Sequence, residues 1–200
     1  LKLAIDLNLF DKDGKYLSSA GLVWPAYRDQ HYTDPEGRFV GHVMPQLEGY
    51  WLDCFERGTY TLYNVCDPHD RKPFAVGWAM VFPNLDRVWV SEWPDETMQP
   101  FHKLKSCSWD IPMYAKMLRA TEELLGRPAH KRIMDPNFGE AMKATSKSSV
   151  REEFKKEGLR FDTEVVDALE DGHIAVKTAL GDPRLGIRPK TFVLAHCRNL

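Results

Sequence analysis

Between residues 59 and 93 the hydrophobic pattern carries the two-residue period of strands. The run TYTLYNVCD (59–67) alternates apolar and polar positions and is rich in β-formers. FAVGWAMVF (74–82) is nearly continuous in apolar residues, the pattern of a strand covered on both faces. After the turn signal NLD (84–86), RVWVSEW (87–93) alternates again. The pattern predicts a three-strand meander with Asp67 at the end of its first member. Helical spacing then takes over in IPMYAKMLRATEELLG (111–126), with Tyr114, Met117, Leu118, Thr121 and Leu125 on one stripe and Gly126 and Pro128 as the stop. HKRIMDPNFG (130–139) predicts a short strand ending in Asp135. Ser149 and Glu152 form a capping-box pattern that starts a helix ending near Gly158, and LRFDTEV (159–165) predicts another short strand. Val166, Leu169, His173, Val176 and Leu180 repeat at helical spacing up to Gly181. The closing RLGIRPKTFVLAHCRNL predicts a strand or turn running into a helix.

The order βββ, α, β, α, β, α predicts an α/β fold, a mixed sheet with helices on its faces. Residues 1–59 read differently. Turn signals at 11–14 and 32–39 surround a short strand at 20–27 stopped by Pro25, and an aromatic-rich stretch at 44–58 ends at Gly58. This section is expected to be a linker or N-terminal extension wrapped on a core formed by residues 60–200.

Composition changes this picture little. Two hundred residues suffice for one domain with a sizeable core or two small ones, and 28% charged residues with a net charge of −2 are ordinary for a soluble globular chain. Contacts to nucleic acid would therefore come from a local patch. No apolar run is long enough to cross a bilayer. Cys54, Cys66, Cys107 and Cys197 form no CxxC pair, which excludes a zinc ribbon or thioredoxin motif and suits free thiols in a reducing cytosol. The segment GDPRLGIR (181–188) lacks the GK[ST] of a phosphate-binding loop, and no HExxH, GxSxG or GxGxxG is present. A chain beginning with Leu1 reads as a piece or a processed product.

Two acids share one local setting, NVCDPH and RIMDPN. Each Asp follows a short apolar strand and precedes a proline, which ends the strand there. If the two strands are neighbours, Asp67 and Asp135 lie a few ångströms apart. Carboxylates that close repel unless one is protonated or a cation sits between them, and hard oxygen ligands suit Mg²⁺ or Mn²⁺. The competing reading is an ordinary Asp-Pro turn, since Asp34-Pro35 and Asp182-Pro183 also occur. Glu92 is either a third acid on the same site or a solvent-facing strand residue. His69 either assists a ligand or is a hydrogen-bonded loop residue, and Asp70 and Arg71 read as a local turn. Lys143, Lys147 and Arg151 lie in a basic stretch that is either a DNA-backbone patch or a solvated helix face. KATSKSS (143–149), close after Asp135, could contact phosphates.

The stretch YNVCDPHDRKPFAVGWAMVFPNLDRVWVSEWPD, followed by KRIMDPNFG, EEFKKEGLRF and DALEDGHIAVKTALGDPRLGIRPKTFVLAHCRNL, resembles the C-terminal nuclease domain of bacteriophage terminase large subunits. The resemblance covers residues 60–200 well and the first sixty residues loosely. It implies a ribonuclease H-like fold and a two-metal endonuclease, using Mg²⁺ or Mn²⁺, that cuts concatemeric double-stranded DNA during packaging. Asp67 matches the family's first-strand acid and Asp135 its fourth-strand acid. The family's third acid lies on a C-terminal helix after the cysteine-containing segment and is expected beyond Leu200. The resemblance further implies double-stranded DNA, an ATPase motor domain, a small terminase subunit and a portal as partners, no membrane, and the host cytoplasm as the place of action. The alternatives are another ribonuclease H-like nuclease, such as a junction resolvase or transposase, and a non-catalytic docking module of a packaging motor.

Overall fold

The expected meander forms. In a computed structural model of the chain, which describes residues 27–69, 73–94, 109–141, 147–163, 169–182 and 185–197, it is the centre of a six-stranded sheet. In chain order the elements are β1 (Val43–Met44), α1 (Gly49–Glu56), β2 (Thr61–Asp67), β3 (Ala75–Val81), β4 (Arg87–Trp93), α2 (Ile111–Leu124), β5 (Lys131–Met134), α3 (Pro136–Gly139), α4 (Val150–Lys156), α5 (Leu169–Leu180) and β6 (Thr191–Leu194). The sheet order is β1-β6-β4-β3-β2-β5. β2, β3 and β4 run antiparallel, whereas β5 pairs parallel to β2, β6 parallel to β4 and β1 parallel to β6. A mixed sheet flanked by helices is thus the architecture, consistent with the ribonuclease H-like fold expected.

One face of the sheet carries Leu62, Asn64 and Cys66 of β2 and Val76, Trp78 and Met80 of β3, all buried. Helix α2 lies over this face. Its start is set by Asp110, whose side chain accepts from Met113 N at 3.0 Å, with Pro112 in the first turn where its missing N–H costs nothing. Its buried stripe is Ile111, Tyr114, Ala115, Leu118 and Glu122, so Met117, Thr121 and Leu125 of the expected stripe lie at the margin. Tyr114 stacks on Phe74 at 4.3 Å, and its hydroxyl accepts from Phe74 N at 3.0 Å. Buried Glu122 holds Arg132 of β5 through two hydrogen bonds, one of them at 2.8 Å from Nε, which ties α2 to the edge strand. The capping box at α4 is present as expected, with Ser149 N donating to Glu152 (2.9 Å) and Glu152 N to Ser149 Oγ (3.2 Å).

Described residues before position 60 pack into the same core as the sheet. Tyr32, Trp51 and Cys54 are in the same buried cluster as the sheet, and β1 is one of its strands. The anchor is Asp86, fully buried in the β3–β4 turn. It accepts from Trp51 Nε1 (3.1 Å), Asn84 Nδ2 (2.7 Å) and two guanidinium nitrogens of Arg188 (2.6 Å each). Burial alone would raise the Asp86 carboxyl, but the Arg188 hydrogen bonds and charge, with Asn84 and Lys190, hold it below the usual carboxylate range.

Other differences are local. The segment 159–165 contributes, among its described residues, one parallel bridge from Asp162 to Ile133. In α5, Leu180 is buried as its stripe predicts but Val176 is 41% exposed. The chain's last described residues are β6 and a turn. Most of the strand expected at 20–27, the Asp70-Arg71 turn and most of the KATSKSS segment lie outside the described residues.

Candidate functional site

Strand register decides what the two Asp-Pro sites do together. β5 runs parallel beside β2 with Val65 opposite Ile133 and Cys66 opposite Met134, and Asp135 N donates to Cys66 O at 3.1 Å. Asp135 is therefore level with Asp67, one step beyond the last pair, on strands about 4.8 Å apart. Because side chains alternate, both acids emerge on the face opposite α2, together with Val65 and Ile133. Ala75 is opposite Asp67 and Gly77 opposite Val65, so the neighbouring strand offers only a methyl group and a bare backbone on that face. The result is a cavity of about 220 Å³ floored by Val65, Ala75, Gly77 and Ile133, with Asp67 and Asp135 on its lining.

Glu92 lines the same cavity and is 5% exposed. Its presence there depends on an irregularity in β4. Trp78 pairs with Ser91 but Ala79 pairs with Trp89, which leaves Val90 as an extra residue, a β-bulge. In an unbroken strand Val88, Val90 and Glu92 would share the α2 face. The extra residue reverses the phase, so Glu92 pairs with Gly77 and turns to the acid-bearing face. His196 Nε2 donates to the Val90 carbonyl at 3.0 Å. Among the described residues no three His, Cys, Asp or Glu side chains are gathered closely enough to hold one metal ion together. Glu92 thus shares the cavity with the Asp pair without joining it in a compact ligand set.

The electrostatics fit two like charges side by side. The Asp67 carboxyl titrates above the usual range, first because it is partly desolvated and then because of Asp135, while His69 acts in the opposite direction. Asp135 also acts as the N-cap of the short α3, since its Oδ1 accepts from Asn137 N (3.4 Å) and Asn137 Nδ2 (3.0 Å). The turn role is therefore compatible with a place on the cavity lining. His69 stacks on Phe138, with ring centroids 5.7 Å apart and planes 18° apart. The thiols are inert by comparison. Burial pushes Cys66 far up, and Asp67 adds to it; Cys197 is raised to about 12, again by burial first and Glu92 second.

The basic residues are not gathered at the acids by any contact. Lys143 lies outside the described residues, and Lys147 is exposed. Arg151 is engaged within the fold, by Glu140 Oε1 at 2.9 Å and by the Phe161 carbonyl at 3.1 Å. Two features escaped the reading of the sequence. Phe138 stands three residues after Asp135 in a motif already singled out, and the Ala75/Gly77 pair was legible only as part of an apolar run.

No family model matches the chain, and no curated protein does. Two solved structures of the large terminase from the thermophilic bacteriophage D6E, in two crystal forms, are similar to it. Both have a TM-score of 0.48 and cover 78% of this chain, at 19% and 18% identity. The chain spans about a third of that protein's length, 32% in both.

Proposed function

We propose that this chain is a divalent-metal-dependent DNA endonuclease domain of a viral DNA-packaging terminase, cutting concatemeric double-stranded DNA with little sequence preference. The observation that carries the reading is the placement of Asp67 and Asp135 side by side, on one face of adjacent parallel strands, at a cavity. The donor set fits the metal. A carboxylate whose proton affinity is raised by burial and by the charge of Asp135 beside it, as at Asp67, is relieved by a hard cation, and carboxylate oxygens are the ligands Mg²⁺ and Mn²⁺ prefer.

Asp67 and Asp135 would hold the metal, with Glu92 as the further carboxylate in reach of the cavity. A bound divalent ion would supply Lewis-acid polarisation of a phosphoryl oxygen and a more acidic water. The protein's own part is placement. The Asp135 N to Cys66 O bond locks the two strand ends in register. Asn137 orients Asp135 Oδ1. Ala75 and Gly77 keep the floor low enough for a phosphodiester to approach. Apolar Val65 and Ile133 beneath the acids limit water and strengthen the charges above them. Backbone-directed binding positions a duplex without reading its bases, hence the weak sequence preference. In the assembly the partners would be DNA, an ATPase motor domain, a small terminase subunit and a portal, in the host cytoplasm.

The test is nicking and linearisation of supercoiled plasmid with Mn²⁺ or Mg²⁺, beside Asp67→Ala, Asp135→Ala and Glu92→Gln. The expected outcome is cutting that needs the metal and is abolished by either Asp variant while their circular dichroism is unchanged, with Glu92→Gln reduced. Absence of both cutting and calorimetric Mn²⁺ binding in the parent would return the acids to turn residues.

A further inference from the structure

The two strand ends that carry the acids each carry a ring a few residues later, His69 after Asp67 and Phe138 after Asp135. The rings lie near-parallel and offset, 18° between planes and 5.7 Å between centroids. Phe138 keeps 42% of its surface exposed, so one of its faces is open to a ligand. Gly139 seats α3 close on the sheet, since a Cβ there would fall 2.7 Å from Met134 Sδ. The ring therefore stands on a braced turn. On the other side of the acids the cavity floor is apolar as well. The acids form a polar strip suited to a phosphate, with an exposed aromatic face beside it that suits a flat ring.

We infer that the His69–Phe138 pair is a stacking platform for a nucleobase flanking the scissile phosphate, so that the site favours DNA with an unpaired base at the cut over intact duplex. This rests on the nuclease reading for its ligand class. A base inside a duplex has both faces covered by its neighbours, and only an unpaired or displaced one can offer a face to Phe138. A phenyl ring already backed by an imidazole loses no freedom on stacking, which makes it a rigid surface for the next ring. Such stacking tolerates any base, consistent with weak sequence preference.

The experiment uses the 200-residue chain with Ca²⁺ in place of Mn²⁺, and oligonucleotides carrying 2-aminopurine in a single-stranded gap or in a full duplex. Anisotropy reads affinity, and 2-aminopurine fluorescence reads stacking directly. The expected result is quenching on binding gapped DNA, about tenfold tighter binding of gapped than duplex DNA, and loss of both in Phe138→Leu. Phe138→Tyr, which keeps the aromatic face, retains both, whereas Phe138→Met, which fills similar space without a ring, loses them. Equal quenching and affinity in the parent and Phe138→Leu would overturn the platform and leave the nuclease reading standing. Quenching that survives alongside metal-independent behaviour of Asp67→Ala and Asp135→Ala would sink the nuclease reading and leave the platform. DNA that fails to bind at any concentration up to saturation of the assay overturns both.

Discussion

Replacing Asp67 by Asn should stabilise the metal-free protein, the opposite of what a turn residue would do. Asp67 and Asp135 sit level on strands about 4.8 Å apart. Carboxylates roughly 6 Å apart repel by about 3 kcal/mol at an effective dielectric of 20. Asp67 reaches solvent, and screening reduces this to about 1 kcal/mol. Asn keeps the shape and removes one charge. For a chain of this size 1 kcal/mol corresponds to about 2–4 °C in Tm. The sign with pH follows from the raised carboxyl. A proton on Asp67 binds the folded state more tightly than the unfolded one. The parent's relative stability is thus complete below the unfolded value, about 3.9, and is lost as pH rises through the higher folded value. Asp67→Asn should therefore melt higher than the parent at pH 7 in chelator, and the gap should close in acid. Mn²⁺ reverses the ranking. At about a hundred times its Kd it adds about 2.7 kcal/mol to whichever protein binds it, and the variant has lost half of the proposed ligand pair. Differential scanning fluorimetry at pH 7 and pH 4, with chelator or Mn²⁺, reads all four arms. A variant that melts below the parent in chelator, or equal Mn²⁺ shifts in both proteins, refutes the reasoning without reference to cutting.

Arg188→Ala should cost about 3 kcal/mol in urea unfolding at neutral pH, because it strands the fully buried Asp86 carboxylate. Asp86 titrates low in the fold, so its contribution is present above the unfolded carboxylate value and is lost as pH falls through the folded one. The difference between parent and variant should shrink below about pH 4. Tyr114→Phe removes the acceptor of the buried Phe74 N–H and should lower stability by about 1–3 kcal/mol, read by thermal melting. No loss there would mean that Phe74 N–H finds another partner. Ser149→Ala breaks the capping box at α4 and should cost about 1 kcal/mol, with Ser149→Thr close to the parent in the same assay.

The sheet was legible where one residue type dominates a face. β2 alternates cleanly because one of its faces meets α2, and β3 reads as a continuous apolar run because Val76, Gly77, Trp78, Ala79 and Met80 are all buried. The capping box was legible because both of its bonds are local. Long-range polar contacts were not. Asp86 reads as part of a surface turn, yet its partner Arg188 is 102 residues away. His42 looks like a loop histidine, yet it is fully buried, accepting from Arg28 N at 3.0 Å and donating to Leu180 O at 2.9 Å. Such groups cost little to bury only because the fold supplies their partners, and nothing in a linear window announces a partner of that kind. The α5 stripe failed at Val176 for the converse reason: spacing identifies a helix but not how much of its apolar side the rest of the fold covers.

At the site, the paired Asp-Pro motifs could be read as strand-end acids from their own neighbours, and the parallel pairing of β2 and β5 turned that into adjacency. Glu92 could not be read the same way. The alternation of RVWVSEW puts it in phase with Val88 and Val90, hence toward α2, where an unpaired carboxylate would be expensive. One bulged residue reverses that phase. Bulges carry no fixed residue signature here, since Val90 is as good a strand former as its neighbours. The bulged residue also has a distant partner: the Val90 carbonyl accepts from His196, 106 residues later, in the turn that also carries Cys197. Cys197 in turn feels the charge of Glu92. The C-terminal turn thus contacts β4 at the bulge, next to the strand end that carries Glu92. The register shift between β3 and β4 turns Glu92 to the acid-bearing face, so its place at the cavity is set by strand pairing and not by the alternation of its own segment.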